Sequence, residues 1–379
     1  MDGSDFVDGI TGAGAKALSP RELKRALEPY TEANTKLGVL HVTLDFTLYT
    51  AALCGVLFLG PLWAKIVCSV LAGIKLANLG TLGHEAAHGN VAVSPRLNAF
   101  LGTLCFLPCL YNYRLWVYDH HHIHHPHVNA DQTNSWAPFS KAEFDALPVW
   151  RRALERHYRS SWGLGFATYN AVDRWAPYHV MPGKFLPKAF HASSWRHFAL
   201  LVVYLVSFIG VLAAAPLYSN TGAVTAIVLG FVVPFYLWMM LFGFTVYVQH
   251  TDKRLPWFKT HNNMAQEALS LHLEFPPLLR ALMHNVYEHA VHHVNVRVPY
   301  HRAAQAQQKL NELAPDTAVV QKFTFRWMHE TLRDCRLYDY ENHRWLDFDG
   351  NPTSAAHASA AQYVAPRKKT PRTRLSPQT

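Results

Sequence analysis

The sequence predicts an all-α integral membrane protein with four transmembrane helices in two hairpins and a cytosolic helical cap that holds a histidine-rich metal site. Three observations support this fold class. Residues 198–249 contain no Asp, Glu, Lys or Arg. Charged residues make up 16% of the chain, whereas about a quarter is usual in soluble proteins. The chain has 24 histidines, and many of them stand in short clusters beside apolar stretches.

The uncharged run predicts the second hairpin. Each of its halves reaches the length of about 20 apolar residues that a helix needs to cross a bilayer. Residues 216–222 form a turn sequence that contains Pro, Ser, Asn and Gly, so the predicted spans are 198–216 and 223–249. The turn carries no charge, which indicates the non-cytoplasmic side of the membrane.

The first hairpin is predicted from two apolar segments, 37–59 and 62–83, which a Gly-Pro turn joins. Three charged residues interrupt these segments: Asp45, Lys65 and Lys75. We expect Lys65 to extend from the turn to the membrane surface. Lys75 lies deeper, so we expect its amine to reach either a protein interior or a lipid headgroup.

Residues 97–113 are also uncharged, but we predict that they form an interfacial or re-entrant segment and not a fifth span. A full crossing would place the first two histidine clusters on opposite sides of the membrane, where they could not share metals. With four spans, both termini and all clusters lie on one face. The basic segments 21–25 and 151–159 fall on that face, which the positive-inside rule assigns to the cytoplasm. We therefore expect a multi-pass protein of a bacterial cytoplasmic membrane.

The predicted organisation has a polar cytosolic N-terminus over 1–36, a membrane domain over 37–351 and a disordered basic tail over 352–379. Within the membrane domain, 138–197 is expected to form the cytosolic cap and 303–348 a soluble helical extension. Much of the net charge of +9 comes from basic groups that flank the apolar spans. A nucleic-acid-binding protein would instead present a basic face with readout elements, so no nucleic acid partner is expected.

His84 and His88 form the first cluster, at the cytosolic end of the second predicted span. Residues four apart share one face of a helix, so both imidazoles can reach one metal. With Glu85 between them, these residues also match the short zinc-protease pattern in which the glutamate is the general base. That alternative leaves the other clusters unexplained.

The second and third clusters share one arrangement, in which a lone histidine precedes an adjacent pair by three to five positions. The lone histidine of the second cluster is His120 or His121, depending on the register. Adjacent residues lie about 100° apart around a helix, so the members of a pair can reach two different metals. His250 ends the fourth predicted span at the depth where His84 ends the second.

The candidate ligands are too many for one zinc ion, which takes about four ligands in a structural site, so two metals are predicted. Neutral imidazole binds iron, copper, nickel and zinc. The candidate metal ligands are His84, His88, His120, His121, His124, His125, His250, His289, His292 and His293. The residues predicted to be catalytic are the same set without His121 and His250.

Carboxylates beside proposed ligands commonly orient an imidazole through its second nitrogen, and a plain solvated charge is the alternative for each of them. The carboxylates in such positions are Glu85, Asp119 and Glu288. His122 and His127 are expected at the surface or behind the ligands. His284, a turn and a half before His289, is left out of the ligand set.

Three histidine clusters after two membrane hairpins resemble the integral-membrane fatty acid desaturase superfamily. The family pattern is His-x(3-4)-His, His-x(2-3)-His-His and a final His/Gln-x-x-His-His, and the clusters match it in order. Residues 246–257, which include Gln-His-Thr and Leu-Pro-Trp, and residues 289–301 are similar to segments of omega-6 and omega-3 acyl desaturases. A departure is Val294-Asn295, where the family usually has Leu-Phe.

The resemblance implies an O2-dependent acyl desaturase with two iron ions, which inserts a double bond into an unactivated fatty acyl chain. The acyl group could be linked to a lipid, a carrier protein or coenzyme A, with membrane lipid around the protein. The reaction needs two external electrons. We expect these to come from a separate donor such as ferredoxin or cytochrome b5, and an acidic donor would suit the basic cytosolic face.

Three alternatives remain open at this stage. A hydroxylase, ketolase or acetylenase would use the same framework and differ only in product. An intramembrane zinc protease would use His84, Glu85 and His88. A metal carrier or transporter would need polar residues within the spans, whereas residues 198–249 contain no ionisable carboxylate or base.

Overall fold

The structure is a computed structural model that describes residues 18–360 except 132, 134, 162, 184, 261–263, 265, 358 and 359. Most of it is helical. The α-helices are Pro20–Ala26 (α1), Thr35–Phe58 (α2), Leu62–Ala87 (α3), Pro95–Phe106 (α4), Tyr113–Asp119 (α5), Lys141–Ala146 (α6), Val149–Tyr158 (α7), Gly165–Tyr169 (α8), Lys188–Ala213 (α9), Ala223–Ile227 (α10), Val233–His250 (α11), Pro277–Leu282 (α12), His289–Val294 (α13), Tyr300–Leu313 (α14) and Phe325–Asp334 (α15). π-helical segments cover His120–His124, Asn170–Val180 and Val228–Val232, and short 3-10 helices include His125–His127.

Four helices are long and apolar enough to cross a membrane: α2, α3, α9 and the continuous helix Ala223–His250, which joins α10 to α11. The third of them begins ten residues before the predicted span 198–216. Pro187 stands at its N-cap, and the polar residues that follow continue the helix into the apolar run. Helix α9 therefore begins before the predicted span, because helix formation does not require apolar residues.

The charged residues of α2 and α3 make contacts inside the protein. The Nζ atom of Lys75 lies 2.8 Å from Oδ1 of Asp45, which confirms the expectation that Lys75 reaches a protein interior. Lys65 does not extend freely from its turn. Its amine donates to Oδ1 of Asn220 over 3.2 Å and to the hydroxyl of Thr221, both in the turn between α9 and α10. Pairing removes the cost of isolated charges beside apolar helices.

Close packing of α3 against α11 and α4 forms the main core. A Cβ atom on Gly80 would lie 2.3 Å from the Trp238 ring, and one on Gly83 would lie 2.6 Å from the Phe106 ring. These glycines therefore let aromatic rings contact the backbone of α3. Helix α4 has 12 residues and is about 18 Å long, which is shorter than the roughly 30 Å hydrocarbon core. The segment 97–113 accordingly contains no helix long enough to cross.

Within the described residues, four short strands correct the all-α prediction, and three of them lie in the region predicted as a helical extension. Strand β1 (Leu271–Glu274) pairs in parallel with β2 (Val319–Lys322). Strand β3 (Leu337–Asp339) pairs antiparallel with β4 (Arg344–Leu346). Segments of three or four residues are too short to show an alternating pattern, and the β1–β2 pairing joins distant parts of the chain.

Both terminal segments make ordered contacts within their described residues. At the N-terminus, Ser19 and Glu22 form a capping box for α1, and Leu23 packs in a buried cluster with residues of α13 and α14. At the C-terminus, backbone bonds of 2.9 and 3.0 Å attach Thr353 and His357 to the chain near β4. Ordered contacts thus continue past residue 352, where the disordered tail was predicted to begin. Residues 1–17 and 361–379 lie outside the described residues.

Candidate metal centre

The structure brings eight of the ten predicted ligands into two groups of four. The first group is His84, His88, His120 and His292, and the second is His124, His250, His289 and His293. Within each group, one nitrogen from each ring lies within 4.8 Å of the others. The adjacent pair of the third cluster is divided between the groups, with His292 in the first and His293 in the second. Each group has enough imidazoles for one metal ion.

A π-helix positions the second histidine cluster. Helix α5 ends at Asp119, and the backbone continues as a π-helix over His120–His124 and a 3-10 helix over His125–His127. The wider π turn changes the angle between successive side chains, so a regular 3.6-residue helix does not describe this cluster. His120 stacks on Trp116 with ring centroids 4.2 Å apart, which helps to hold its ring in place.

The Nε2 atoms of three imidazoles in the second group converge on one another. Nε2 of His289 lies 3.0 Å from Nε2 of His250 and 2.9 Å from Nε2 of His293. Three Nε2 atoms thus share a small space, while each neutral imidazole can offer only one N–H. Lone pairs that converge in this way are the arrangement of a cation site.

Buried nitrogens of the first group lead to the same conclusion. Nε2 of His88 and Nε2 of His292 are buried, and neither has a hydrogen-bond partner among the residues that the structure describes. Buried polar atoms nearly always have a partner in folded proteins. A bound metal would satisfy both atoms, and an all-imidazole donor set suits iron as well as zinc or copper. The residues present therefore fit a resident metal.

The local environment keeps these imidazoles neutral and able to bind metal. Burial, and next the neighbouring imidazoles, hold the pKa of most of them well below the usual range: His88, His120, His124, His125, His289, His292 and His293. Burial likewise lowers the pKa of His121 to about 4. A protonated imidazole has no lone pair for a metal, so these shifts favour the ligating form.

Glu85 contacts the ring of His84, a predicted ligand in the first group. Its Oε1 atom lies 3.0 Å from Nδ1 of His84, which leaves Nε2 of His84 for a metal. Its Oε2 atom accepts the backbone N–H of Tyr300 over 3.0 Å and the side-chain amide of Asn90 over 3.2 Å. Such partners set the tautomer and the ring orientation of a ligating histidine.

Asp119 has different partners from those predicted. Its Oδ2 atom lies 3.2 Å from Nε2 of His179 and 3.5 Å from a guanidinium nitrogen of Arg174. These contacts connect the end of α5 to the π-helix Asn170–Val180. Asp119 therefore helps to fix the position of the second cluster, which begins at the next residue.

Glu288 also contacts residues other than His289, the predicted ligand beside it. Its carboxylate contacts Nε2 of His272 at 2.7 Å and Nη1 of Arg280 at 3.1 Å. Glu288 is the residue before α13, which carries the third cluster, so these ion pairs fix where that helix begins. His284, which was left out of the ligand set, lies with Nε2 2.6 Å from Oδ2 of Asp45.

Two predicted ligands lie outside the groups of four but contact them. Nε2 of His125 is 3.0 Å from Nε2 of His120, and the His125 ring centroid is 4.8 Å from that of His293. The His121 ring centroid is 4.6 Å from that of His88. Of the two registers left open for the second cluster, the geometry places His120 in the first group. His122 is exposed, as expected.

A narrow cavity leads from the membrane-length helices to the histidines. Its apolar wall comes from α3 and α11: Ala77, Gly80, Trp238, Leu241 and Phe242. Its other end is lined by His84, His120, His124 and His289, which include members of both groups. The cavity can thus bring an apolar chain against the metal ligands.

Five polar residues that line this cavity are not among the predicted site residues: Thr81, Ser135, Arg174, Thr245 and Gln249. Arg174 and Ser135 line it and contact each other, and Gln249 donates to the carbonyl of Val286 over 2.8 Å. Gln249 directly precedes the predicted ligand His250, and this position in the sequence could have indicated that Gln249 lies near the site. The sequence around Arg174 and Ser135 has no periodicity or motif that indicates a site, so only the fold reveals them.

Comparisons with known proteins agree with this geometry. Residues 60–325 match the family model described as fatty acid desaturase. The sn-1 oleoyl-lipid 12-desaturase of Picosynechococcus sp. is 25% identical over 311 residues, which cover 79% of this chain and 85% of that protein. The chloroplastic omega-6 fatty acid desaturase of Brassica napus is 24% identical over 355 residues, with 92% and 74% covered. The chloroplastic omega-3 fatty acid desaturase of the same plant is 24% identical, with 71% and 66% covered.

Proposed function

Because the chain belongs to the fatty acid desaturase family, whose members are oxidoreductases, we propose that it is an O2-dependent acyl desaturase with a histidine-ligated di-iron centre. The reaction would introduce a double bond into an unactivated acyl chain. The observation that carries this proposal is the convergence of two groups of four imidazoles at one end of an apolar cavity.

Each group of four would hold one iron ion, and His121 and His125 would lie beside the pair as further donors. Two iron ions there would supply the redox chemistry that activates O2 for hydrogen abstraction from a methylene group. The protein's own contribution is rigidity. Glu85 fixes the ring of His84, and Trp116 stacks on His120, so ligand geometry does not depend on mobile side chains.

The cavity would bind and orient the acyl chain. Its wall between Gly80 and Phe242 is apolar, so it excludes water from the segment of chain that approaches the histidines. Holding one methylene group beside the centre converts the reaction into an effectively unimolecular step. Selection of one carbon along the chain would then follow from the depth of the cavity below the ligands.

We further propose the topology expected from the sequence, with two membrane hairpins, both termini and the metal centre in the cytosol, and a cytosolic cap. The substrate would be a fatty acyl group, and the relatives named oleoyl-lipid desaturases favour a lipid-linked one. The two electrons would come from a separate donor such as ferredoxin or cytochrome b5, attracted by the basic cytosolic surface.

Glu85 distinguishes this proposal from a zinc protease. A protease would need the Glu85 carboxylate as a general base beside a metal-bound water. Here both oxygens are engaged, one by His84 and the other by the backbone of Tyr300 and the amide of Asn90. A carboxylate held in this way orients a ligand and is not available to take a proton from water.

The test combines metal content with product analysis. The purified protein should contain two iron ions per chain, and a host that expresses it should accumulate a fatty acid with one additional double bond only when O2 is supplied. Removal of iron with a chelator should abolish turnover. Fe²⁺ should restore the activity, whereas Zn²⁺ should not.

Other outcomes would select the alternatives. A product with an added oxygen would indicate a hydroxylase or ketolase, and a triple bond would indicate an acetylenase. A preparation with one zinc ion and peptide-hydrolysing activity would contradict the proposal altogether.

A further inference from the structure

Helix α12 (Pro277–Leu282) has an inverted burial pattern. Five of its six residues are uncharged and exposed, and its one charged residue, Arg280, is the partly buried one. Leu278 is 74% exposed, Leu279 42% and Leu282 55%. Soluble proteins bury leucine and expose arginine. The inversion is the pattern of a surface element whose surroundings are apolar.

Arg280 confirms that the polar side of α12 faces the protein. Its Nη1 atom lies 3.1 Å from Oε1 of the buried Glu288, whose other oxygen contacts His272. The charge therefore points toward the ion pairs that fix α13, away from the leucines. We call Leu278, Leu279 and Leu282 the leucine face.

Contacts with α2 and α3 give the position of α12 relative to the membrane. The side-chain amide of Asn78 in α3 donates to the carbonyl of Leu282 over 2.9 Å. Asn78 precedes His84 by six residues, so this bond lies about 9 Å along α3 from the level of the metal ligand. Just after α12, His284 contacts Asp45 in α2 at 2.6 Å. The end of α12 thus lies alongside the membrane-length helices, not beyond their ends.

The residues that follow α12 line the cavity described above. Met283 and Val286 contribute to its lining, together with residues of α3 and α11, and both are partly exposed. Between them, His284 and Asn285 have φ angles of 51° and 52°, so the chain turns sharply at this point. One short stretch therefore joins the leucine face to the cavity.

We propose that the leucine face lies among the acyl chains of the membrane leaflet and that the acyl substrate enters the cavity laterally from the lipid, past Met283. The occupant of the leucine face is lipid, because α12 is bonded to α3 and the turn after it to α2. Both helices are long enough to cross a membrane and expose leucines such as Leu48 and Leu71. The entry route rests on the proposed function, since the cavity is there assigned to the acyl chain.

The location of the leucine face can be measured without turnover. In a Cys54→Ser, Cys68→Ser background, Leu278→Cys is labelled with the fluorophore NBD, and the full-length protein is reconstituted in phosphatidylcholine vesicles. Glu312→Cys, an exposed position on α14, is the control. We expect a blue-shifted emission at position 278, quenched by doxyl groups on lipid acyl chains and not by aqueous iodide. Position 312 should show the reverse. Iodide quenching at 278, or no quenching by either agent, would overturn the proposal, the latter because protein would then cover the face.

The entry route is tested by turnover with lipid-embedded substrate. The double variant Leu278→Asp, Leu282→Asp should lose turnover at unchanged iron content, because carboxylates at these positions would withdraw α12 from the lipid. The variant Leu278→Phe, Leu282→Phe keeps the face apolar and should retain turnover. Equal turnover in both variants would overturn lateral entry. The proposed function would remain intact, since it depends on the parent protein forming an unsaturated product.

Discussion

Glu85 accepts the backbone N–H of Tyr300 over 3.0 Å, across 215 residues of sequence. This bond joins the first histidine cluster to the helix that follows the third. Because the other oxygen of Glu85 contacts Nδ1 of His84, one carboxylate ties the orientation of a ligand to the packing of α14. The candidate metal centre is thus supported by a contact between two segments that are far apart in the sequence.

Replacement of Glu85 should weaken metal binding without removing a ligand. In Glu85→Ala, His84 loses the partner of Nδ1, the backbone N–H of Tyr300 loses its acceptor, and the amide of Asn90 loses one of its acceptors. Loss of such a partner lowers metal affinity or activity by about 10- to 100-fold. Iron titration of the apoprotein measures the effect. Glu312→Ala, at an exposed position, is the control, and an equal affinity in the two variants would contradict the role given to Glu85.

Each group of four should correspond to one iron ion. His292→Ala removes a ligand of the first group and His289→Ala a ligand of the second, so each variant should retain about one iron per chain and lose turnover. The metal content of purified protein, measured by mass spectrometry, tests this. His122→Ala should keep both iron ions because His122 is exposed. Loss of both iron ions in His292→Ala alone, with His289→Ala unaffected, would argue against two separate groups.

Gly80 should be intolerant of a side chain. A Cβ atom at this position would lie 2.3 Å from the Trp238 ring, and Trp238 is held by its bond of 3.2 Å to the carbonyl of Cys109. Overpacking of this kind costs about 1–3 kcal/mol. Gly80→Ala should therefore lower the thermal midpoint in detergent and displace Trp238 into the cavity, with reduced turnover.

Gly210→Ala is the matched control, because a Cβ atom there meets nothing within 4 Å. Replacing an interior helical glycine by alanine stabilises a helix by up to about 1 kcal/mol. The thermal midpoint of Gly210→Ala should therefore be unchanged or higher than that of the parent protein. Equal thermal midpoints for Gly80→Ala and Gly210→Ala would contradict this prediction, because they would show that the Trp238 ring moves aside without destabilising the protein.

Arg159 should be essential for the stability of the region between the membrane helices. It is buried, lies 2.7 Å from Glu155, and donates to the backbone carbonyls of Trp136 and Cys335. Arg159→Met removes the nearer cationic partner of the buried Glu155 and leaves only Arg151, whose guanidinium lies 3.8 Å away. Breaking a buried pair costs about 3–5 kcal/mol. We expect a clear fall in the thermal midpoint, or a failure to accumulate.

A second arginine with the same spacing provides the comparison. Arg326 also pairs with a glutamate four residues away, Glu330, but its side chain is 88% exposed. Exposed pairs contribute little because water screens them. Arg326→Met should leave the midpoint nearly unchanged. A similar fall in both variants would mean that burial does not govern the effect.

Much of the framework could be predicted because its signals are local. Residues 198–249 lack charge over the length of two crossings, and His84 and His88 stand at helical spacing, so neither inference needs a distant residue. The strands could not be predicted in this way. Val319–Lys322 becomes a strand because it pairs with Leu271–Glu274, and a pairing of this kind is not written in either segment alone.

The partners of the carboxylates show the same limit. Glu85, Asp119 and Glu288 each precede or follow a proposed ligand, and their sequence positions are equivalent. Glu85 contacts the neighbouring histidine, whereas Asp119 pairs with Arg174 and His179, and Glu288 contacts His272 and Arg280. Sequence adjacency does not decide the direction of a side chain, which depends on what the fold places around it.

The sequence by itself determined the class of protein, the four apolar helices and the residues from which a metal centre can be built, because composition and helical spacing are properties of single segments. The tertiary structure decided which imidazoles share a group, that Arg174 and Ser135 lie at the cavity, and that α12 turns its leucines outward. Those features depend on contacts between residues far apart in sequence, and such contacts exist only once the helices have packed.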